Sequence, residues 1–423
     1  MSKFAHFSFK RTPPFCSIIA YMKVKIISIA VLVLAFAILI GILFRINYTF
    51  TAELSGGETF RVAWMGARNF LFEKENPYLA ESAIDTQIAI YGQPAEEGEY
   101  PYRLDIPFYL LVFYFPFAFI EDFSLARALW MSFAEVALFG VGLLIINLAE
   151  WKPSRLNLTF FFLALFFSFY GLYPLLDVSV ATFTALILLL SLIAFREKED
   201  VMLGFLLLFG TIHLQNGALL LFFLIFLIVT TKRWRVFSIF GMSLTVVLII
   251  TLIISSDWIV PYLGALRANL RVGQGLLFSE TLQIWRSNDG ALIANIIKWL
   301  ALLILFMEWR IARGKDFIHL LWVASLSIVL TPFLNIRTTS ALFPLLFLPF
   351  ALFLKTAQSR WKNAKWWIPV FSTLLLSSWV FFVQMSHSVE ILTFILPGTL
   401  FLALYWMRWW LIRPLRTWAD QIK

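Results

Sequence analysis

Six short stretches of this chain hold residues of the types that chemistry needs. The first runs from Ser55 to Tyr78, SGGETFRVAWMGARNFLFEKENPY, where a single carboxylate, Glu58, stands behind a Gly-Gly turn and ahead of an amphipathic pattern. A carboxylate in such a place can take a proton from a hydroxyl as general base. The second, Tyr100-Pro101-Tyr102-Arg103-Leu104-Asp105-Ile106-Pro107, supplies a guanidinium whose fork suits a phosphate and a second candidate base, Asp105. Asp177 follows Gly171-Leu172-Tyr173-Pro174 with no other charge nearby. His213-Leu214-Gln215-Asn216-Gly217 is a polar break between two apolar runs. Arg337 is the lone charge in Thr331 to Ser340, and Arg267 and Arg271 sit four apart in the segment 257–289, beside Gly273, Gln274 and Gly275.

Each of these has a plainer structural explanation. Glu58 suits a helix N-terminus, where the dipole favours an acid. Arg103 and Asp105 make an anchoring pair, Asp177 a turn residue, and Asn216-Gly217 a helix-ending turn. Arg337 can snorkel to lipid headgroups, and Arg267 with Arg271 marks one face of a helix lying on a membrane surface.

The elements that position these residues follow from composition. The chain has 423 residues, 61% hydrophobic and only 14% charged, with 46 Phe and a mean hydropathy of +0.84. A soluble domain is nearer roughly half apolar, so this is a polytopic membrane protein of the all-α class. The net charge of +9 belongs to membrane orientation rather than to a nucleic-acid partner. Cys16 stands alone and the four His lie at 6, 213, 319 and 387, which excludes an internal disulfide and a zinc-ligand spacing, so no metal is expected. Neither a Gly-rich nucleotide loop nor a Ser–His–Asp order is present.

Apolar runs able, or nearly able, to cross a ~30 Å hydrocarbon core lie at 24–45, 126–148, 156–176, 178–195, 201–213, 217–231, 236–256, 290–308, 317–333, 340–355, 367–385 and 390–407. That makes about 12 transmembrane helices in one domain, 1–423, although 201–231 also reads as one bent element. The run 105–120 is interrupted by Pro107 and Pro116 and is expected to lie in the interface without crossing. On that count the loops 149–155, 196–200, 231–235, 308–315 and 355–365 and the tail 408–423, each with two to four Lys or Arg, fall on the side of the basic amino terminus. The positive-inside rule then puts both termini in the cytoplasm. The segment 46–125, with nine acids against four basic residues up to residue 103, becomes an external loop with interfacial helices, and 257–289 a second external loop. The apolar positions Phe60, Trp64, Ala67, Phe70 and Leu71 recur at helical spacing and predict a helix lying flat on the bilayer, ended by Asn76-Pro77. An acid such as Asp177 costs about 2.5–3.5 kcal/mol at mid-bilayer, so it must face water, a partner or a site.

The glycine-preceded acid, the short helix with an aromatic and Ala67-Arg68, then Asn76-Pro77-Tyr78 and downstream Tyr100-Pro101, resemble the first external loop of GT-C membrane glycosyltransferases. The pattern is most similar to glycosyltransferase family 87, which takes mannose from polyprenyl-phosphate-mannose. In that family the acid is usually Asp followed by an aromatic; here Glu58 stands there with Thr59 before Phe60, and the lysine common near the fifth span is replaced by His213 and Gln215. The resemblance implies a GT-C type fold and an inverting transfer of a hexose, such as mannose, from a polyprenyl-phosphate-sugar donor to an external glycan or glycolipid acceptor. Glu58, or else Asp105, would be the base; Arg103, Arg337, His213 and Gln215 would meet the donor phosphate, and Asp177 looks like the acid at the start of the fourth span. No cofactor is implied, and the site would lie on the external face of the plasma membrane. A transporter or flippase of lipid-linked saccharide and a non-catalytic subunit derived from the same fold are the competing expectations.

Overall fold

The computed structural model describes residues 15–210, 214–361, 364–385 and 389–412, with side chains from residue 31. Its helices in chain order begin with α1 (Phe15–Glu53), α2 (Glu58–Arg68), α3 (Ile84–Tyr91), α4 (Phe108–Leu111) and α5 (Phe115–Ala118). A bundle follows: α6 (Phe123–Leu148), α7 (Arg155–Phe167), α8 (Phe169–Leu176), α9 (Ala181–Arg196), α10 (Asp200–Phe209), α11 (Leu214–Thr230) and α12 (Trp234–Ile254). The rest comprises α13 (Ile259–Val272), α14 (Phe278–Trp285), α15 (Gly290–Ile311), α16 (Phe317–Leu330), α17 (Phe347–Arg360), α18 (Ala364–Leu376), α19 (Ser378–Gln384) and α20 (Val389–Ile412).

Among the described residues, nine helical segments are long and apolar enough to cross a membrane, and the protein is an all-α membrane-embedded chain. The runs at 178–195, 201–213 and 217–231 appear as the shorter helices α9, α10 and α11. α10 packs chiefly on α12 and α9 and α11 on α16 and α9, so the two share α9 but differ in their main partner. The run 105–120 breaks into α4, a 3-10 turn and α5 over 108–118, which at ~1.5 Å per residue is too short to cross. Pro107 begins it and Pro116 starts its second half.

Two cores result. The larger joins the α6–α9 part of the chain to α16, α17 and α20, around fully buried Trp322, Phe343 and Phe347. The smaller lies under α2, where Phe60, Ala63, Trp64 and Ala67 pack against Phe117, Phe123 and Trp130. The helical period of α2 is therefore as expected, but its apolar face meets the chain's own aromatics rather than the bilayer. Trp64 Nε1 donates to Phe117 O at 3.0 Å, and Arg68 donates to Ala118 O at 2.9 Å, which ties α2 to the carbonyl end of α5. α2 stops earlier than Asn76-Pro77: a π turn covers Asn69–Glu73 and Lys74 adopts a left-handed conformation.

Candidate functional site

The ends of α1, α2, α6 and α8 meet around the Gly56-Gly57 turn. Both glycines have positive φ, 128° and 78°, which L side chains adopt only with strain. The turn also needs the space. A Cβ on Gly57 would stand 3.0 Å from Nε of Arg127 and 3.3 Å from Cγ2 of Val178. Arg127, in the second turn of α6, is only 3% exposed. Its Nη1 donates to Leu54 O at 2.7 Å, just past the end of α1, and its Nη2 reaches Leu176 O, the last residue of α8, at 3.5 Å. A cation on two helix C-termini is favoured by both dipoles, so one side chain fixes where α2 begins.

Glu58, the first residue of α2, is exposed, and its Oε2 accepts the hydroxyl of Tyr102 at 2.5 Å, in the range of a charge-assisted bond. Tyr102 is buried and has φ 43°, a left-handed backbone that few non-glycine residues adopt. Burial first, and then the bond to Glu58, push the Tyr102 hydroxyl well above its ordinary range, so it remains a donor. Arg61, one turn along α2, lays its guanidinium 3.6 Å from the centre of the Phe123 ring. Burial lowers its pKa while the Glu58 charge opposes that shift.

Asp177 caps the end of α8, and its Oδ2 accepts Ser340 Oγ at 2.6 Å across 163 residues of sequence. Its pKa is raised: burial is the largest cause, the Ser340 bond works against it, and the Glu58 charge adds to it. Glu58 and Asp177 thus share one electrostatic neighbourhood. Val178, next to Asp177, has φ 54°, an outlier for a β-branched residue. Strained backbone beside both carboxylates is the kind of local conformation that surrounding structure must hold in place.

The remaining expected residues divide. Arg103 and Asp105 form no ion pair among the described residues; Asn269 of α13 bridges them, donating to Arg103 O at 2.7 Å and to Asp105 Oδ2 at 3.1 Å. The Nε of Arg103 is shielded from solvent and has no partner among the described residues. Arg337 is bound within the protein, to Glu280 at 3.0 Å and to Gly275 O at 3.0 Å. Arg267 and Arg271 are exposed on α13, opposite the buried face that carries Asn269. Gln215 opens α11, with its side chain outside the described set, and His213 lies outside the described residues. No group of three or more His, Cys, Asp or Glu able to hold a metal occurs among the described residues.

Four contributors escaped the sequence reading. Arg127 had a signal, a charge one turn inside an apolar span. Asn269 had a weaker one, lying between Arg267 and Arg271 in sequence but on the other side of the helix. Tyr102 and Ser340 had none, because their partners are distant in sequence. The assembled site offers an exposed carboxylate held by a neutral hydroxyl, a guanidinium beside it and a second, partly buried carboxylate in its field. Such a set can bind a hydroxyl compound and take its proton. No protein-family model, curated protein or solved structure matches this chain.

Proposed function

We propose that this protein is a membrane glycosyltransferase of the GT-C type, with about 12 spans, that moves a hexose from a polyprenyl-phosphate-sugar to a glycan or glycolipid acceptor. The observation that carries the reading is the Tyr102–Glu58 contact, which holds an accessible carboxylate at one helix N-terminus beside Arg61. In this scheme Glu58 takes the acceptor proton, Tyr102 fixes the rotamer in which it does so, and Asp177, anchored by Ser340, adds a second carboxylate that is in the field of Glu58. Arg103, whose Nε has no partner among the described residues, meets the donor phosphate. In this reading the basic loops face the cytoplasm together with both termini, and the site faces outward to a lipid-linked donor in the outer leaflet, an orientation supported by the positive-inside bias of the loops.

The test is sugar transfer by the purified chain in liposomes that hold a polyprenyl-phosphate-hexose. Glu58→Gln keeps size and removes basicity, so it is expected to abolish transfer while expression and donor binding persist. Normal turnover in Glu58→Gln together with a dead Asp105→Asn would move the base to Asp105. A reporter within 80–98 is expected outside and one after Lys198 inside; the reverse would sink the orientation and with it the lipid-linked donor.

A further inference from the structure

The segment from α3 to Tyr102 is folded so that three tyrosine rings run in a row to Glu58. α3 stops at Gly92, whose φ of 80° turns the chain back. Buried Gln87 then pins the returning loop at two points, donating from Nε2 to Pro101 O at 2.7 Å and accepting Ala95 N at Oε1 at 3.0 Å. Tyr91, the last residue of α3, donates to Tyr100 O at 3.1 Å. The ring centres of Tyr91 and Tyr102 lie 5.4 Å apart, and Tyr100 stands edge-on to Tyr102 at 4.9 Å. The row ends where the Tyr102 hydroxyl meets Glu58 Oε2. Tyr91 and Tyr100 are only half-buried, so ring surface remains open to a ligand.

Charge narrows what this shelf can hold. From Glu75 to Tyr102 the chain carries Glu75, Glu81, Asp85, Glu96, Glu97 and Glu99, and neither Lys nor Arg. Burial raises the pKa of the Tyr91 hydroxyl, contact with the Tyr102 hydroxyl opposes the shift, and the charges of Glu99 and Glu58 add to it, so this ring lies between acids. An anion on the shelf would face like charge, which weakens binding where no cation offsets it. A cation is opposed at the inner end by Arg61, whose charge reaches Glu58. An uncharged ligand remains. Its polar groups have to donate to Glu58, and they can exchange bonds in either direction with the hydroxyl of Tyr173, which stands in the field of Glu58 and Asp177 and makes no hydrogen bond among the described residues. A sugar ring meets these demands, with an apolar C–H face to lie on aromatic rings and hydroxyls around its edge.

We infer that the shelf of Tyr91, Tyr100 and Tyr102 holds a ring of a saccharide acceptor that bears no acidic group, with one of its hydroxyls at Glu58, and that Glu96, Glu97 and Glu99 reject phosphorylated or carboxylated sugars. The inference rests on the transferase reading and adds to it the class of acceptor and the residues that select it. Tyr91 acts through its ring face, whereas the three glutamates act through charge alone, so the two contributions are separable by substitution.

The experiment measures binding of uncharged mannose, glucose and galactose trimers, and of each trimer carrying a 6-phosphate, to the full chain in nanodiscs at low ionic strength. At least one uncharged trimer is expected to bind, and its phosphate to bind about tenfold more weakly. Glu96→Gln, Glu97→Gln and Glu99→Gln together are expected to recover at least about threefold of that loss, a gain that a damaged fold cannot give. Tyr91→Ala is expected to weaken the uncharged trimer about three- to tenfold, and Tyr91→Phe, which keeps the ring, to bind it as the parent does. The inference is overturned if no uncharged trimer binds, if the phosphate binds equally well, if Tyr91→Ala changes nothing or Tyr91→Phe loses as much, or if choline displaces the trimer and so assigns the shelf to a cation. If the trimers bind in the expected pattern but no sugar is transferred, the transferase reading fails and the shelf stands. If sugar is transferred and Tyr91→Ala leaves the KM for the acceptor unchanged, the shelf fails and the transferase reading stands.

Discussion

Gly57→Ala tests whether the Gly-Gly turn is built around Arg127. Two effects add. Alanine at φ 78° is destabilised by about 1–2 kcal/mol because its Cβ crowds the backbone in the left-handed region. The Cβ would also stand 3.0 Å from Nε and 3.1 Å from Cδ of Arg127, a side chain held by its 2.7 Å bond to Leu54 O. Moving it by a few tenths of an ångström weakens a charge-assisted bond and adds about 1 kcal/mol. Gly92→Ala is the control: φ is 80°, but no atom lies within 4 Å of the added Cβ, so only the backbone effect remains. Unfolding in mixed detergent micelles, followed by tryptophan fluorescence, is expected to show Gly57→Ala destabilised by about 2–3 kcal/mol and Gly92→Ala by about 1–2. In an Arg127→Ala background, the effect of Gly57→Ala is expected to shrink to that of the control. Equal effects of the two alanines in the parent chain, or no coupling to Arg127, would refute the argument that this side chain sets the start of α2.

Tyr102→Phe removes the hydroxyl from Glu58 and is expected to slow transfer about tenfold, the low end for a charge-assisted bond because Glu58 is exposed; an unchanged rate would reduce the contact to packing. Asn269→Asp sets a charge against Asp105 in place of a donated bond and is expected to lower thermal stability more than Asn269→Ala, read in the same unfolding assay. The raised pKa of Asp177 means that the folded chain holds its proton more tightly than the unfolded chain, so its contribution to stability is full below the ordinary carboxylate range and fades as pH rises through the folded value. Asp177→Asn is therefore expected to gain stability relative to the parent as pH rises above about 4; a difference that stays flat from pH 4 to 8 would contradict the burial of that group.

The sequence by itself determined what local chemistry determines. Long apolar runs with no polar group to satisfy became helices, Pro107 and Pro116 kept 105–120 from forming one long helix, and the spacing from Phe60 to Ala67 fixed which face of α2 is apolar. It could not show what that face covers, since lipid and the chain's own aromatics are equally apolar partners. Only the tertiary structure decided the site, because its contacts join residues far apart: Glu58 to Tyr102, Asp177 to Ser340, Arg103 and Asp105 to Asn269, and Arg337 to Glu280. Hydrogen bonds act over about 3 Å, so a residue's type and near neighbours say which bonds it can make, and only the packing of helix ends says which of them it makes.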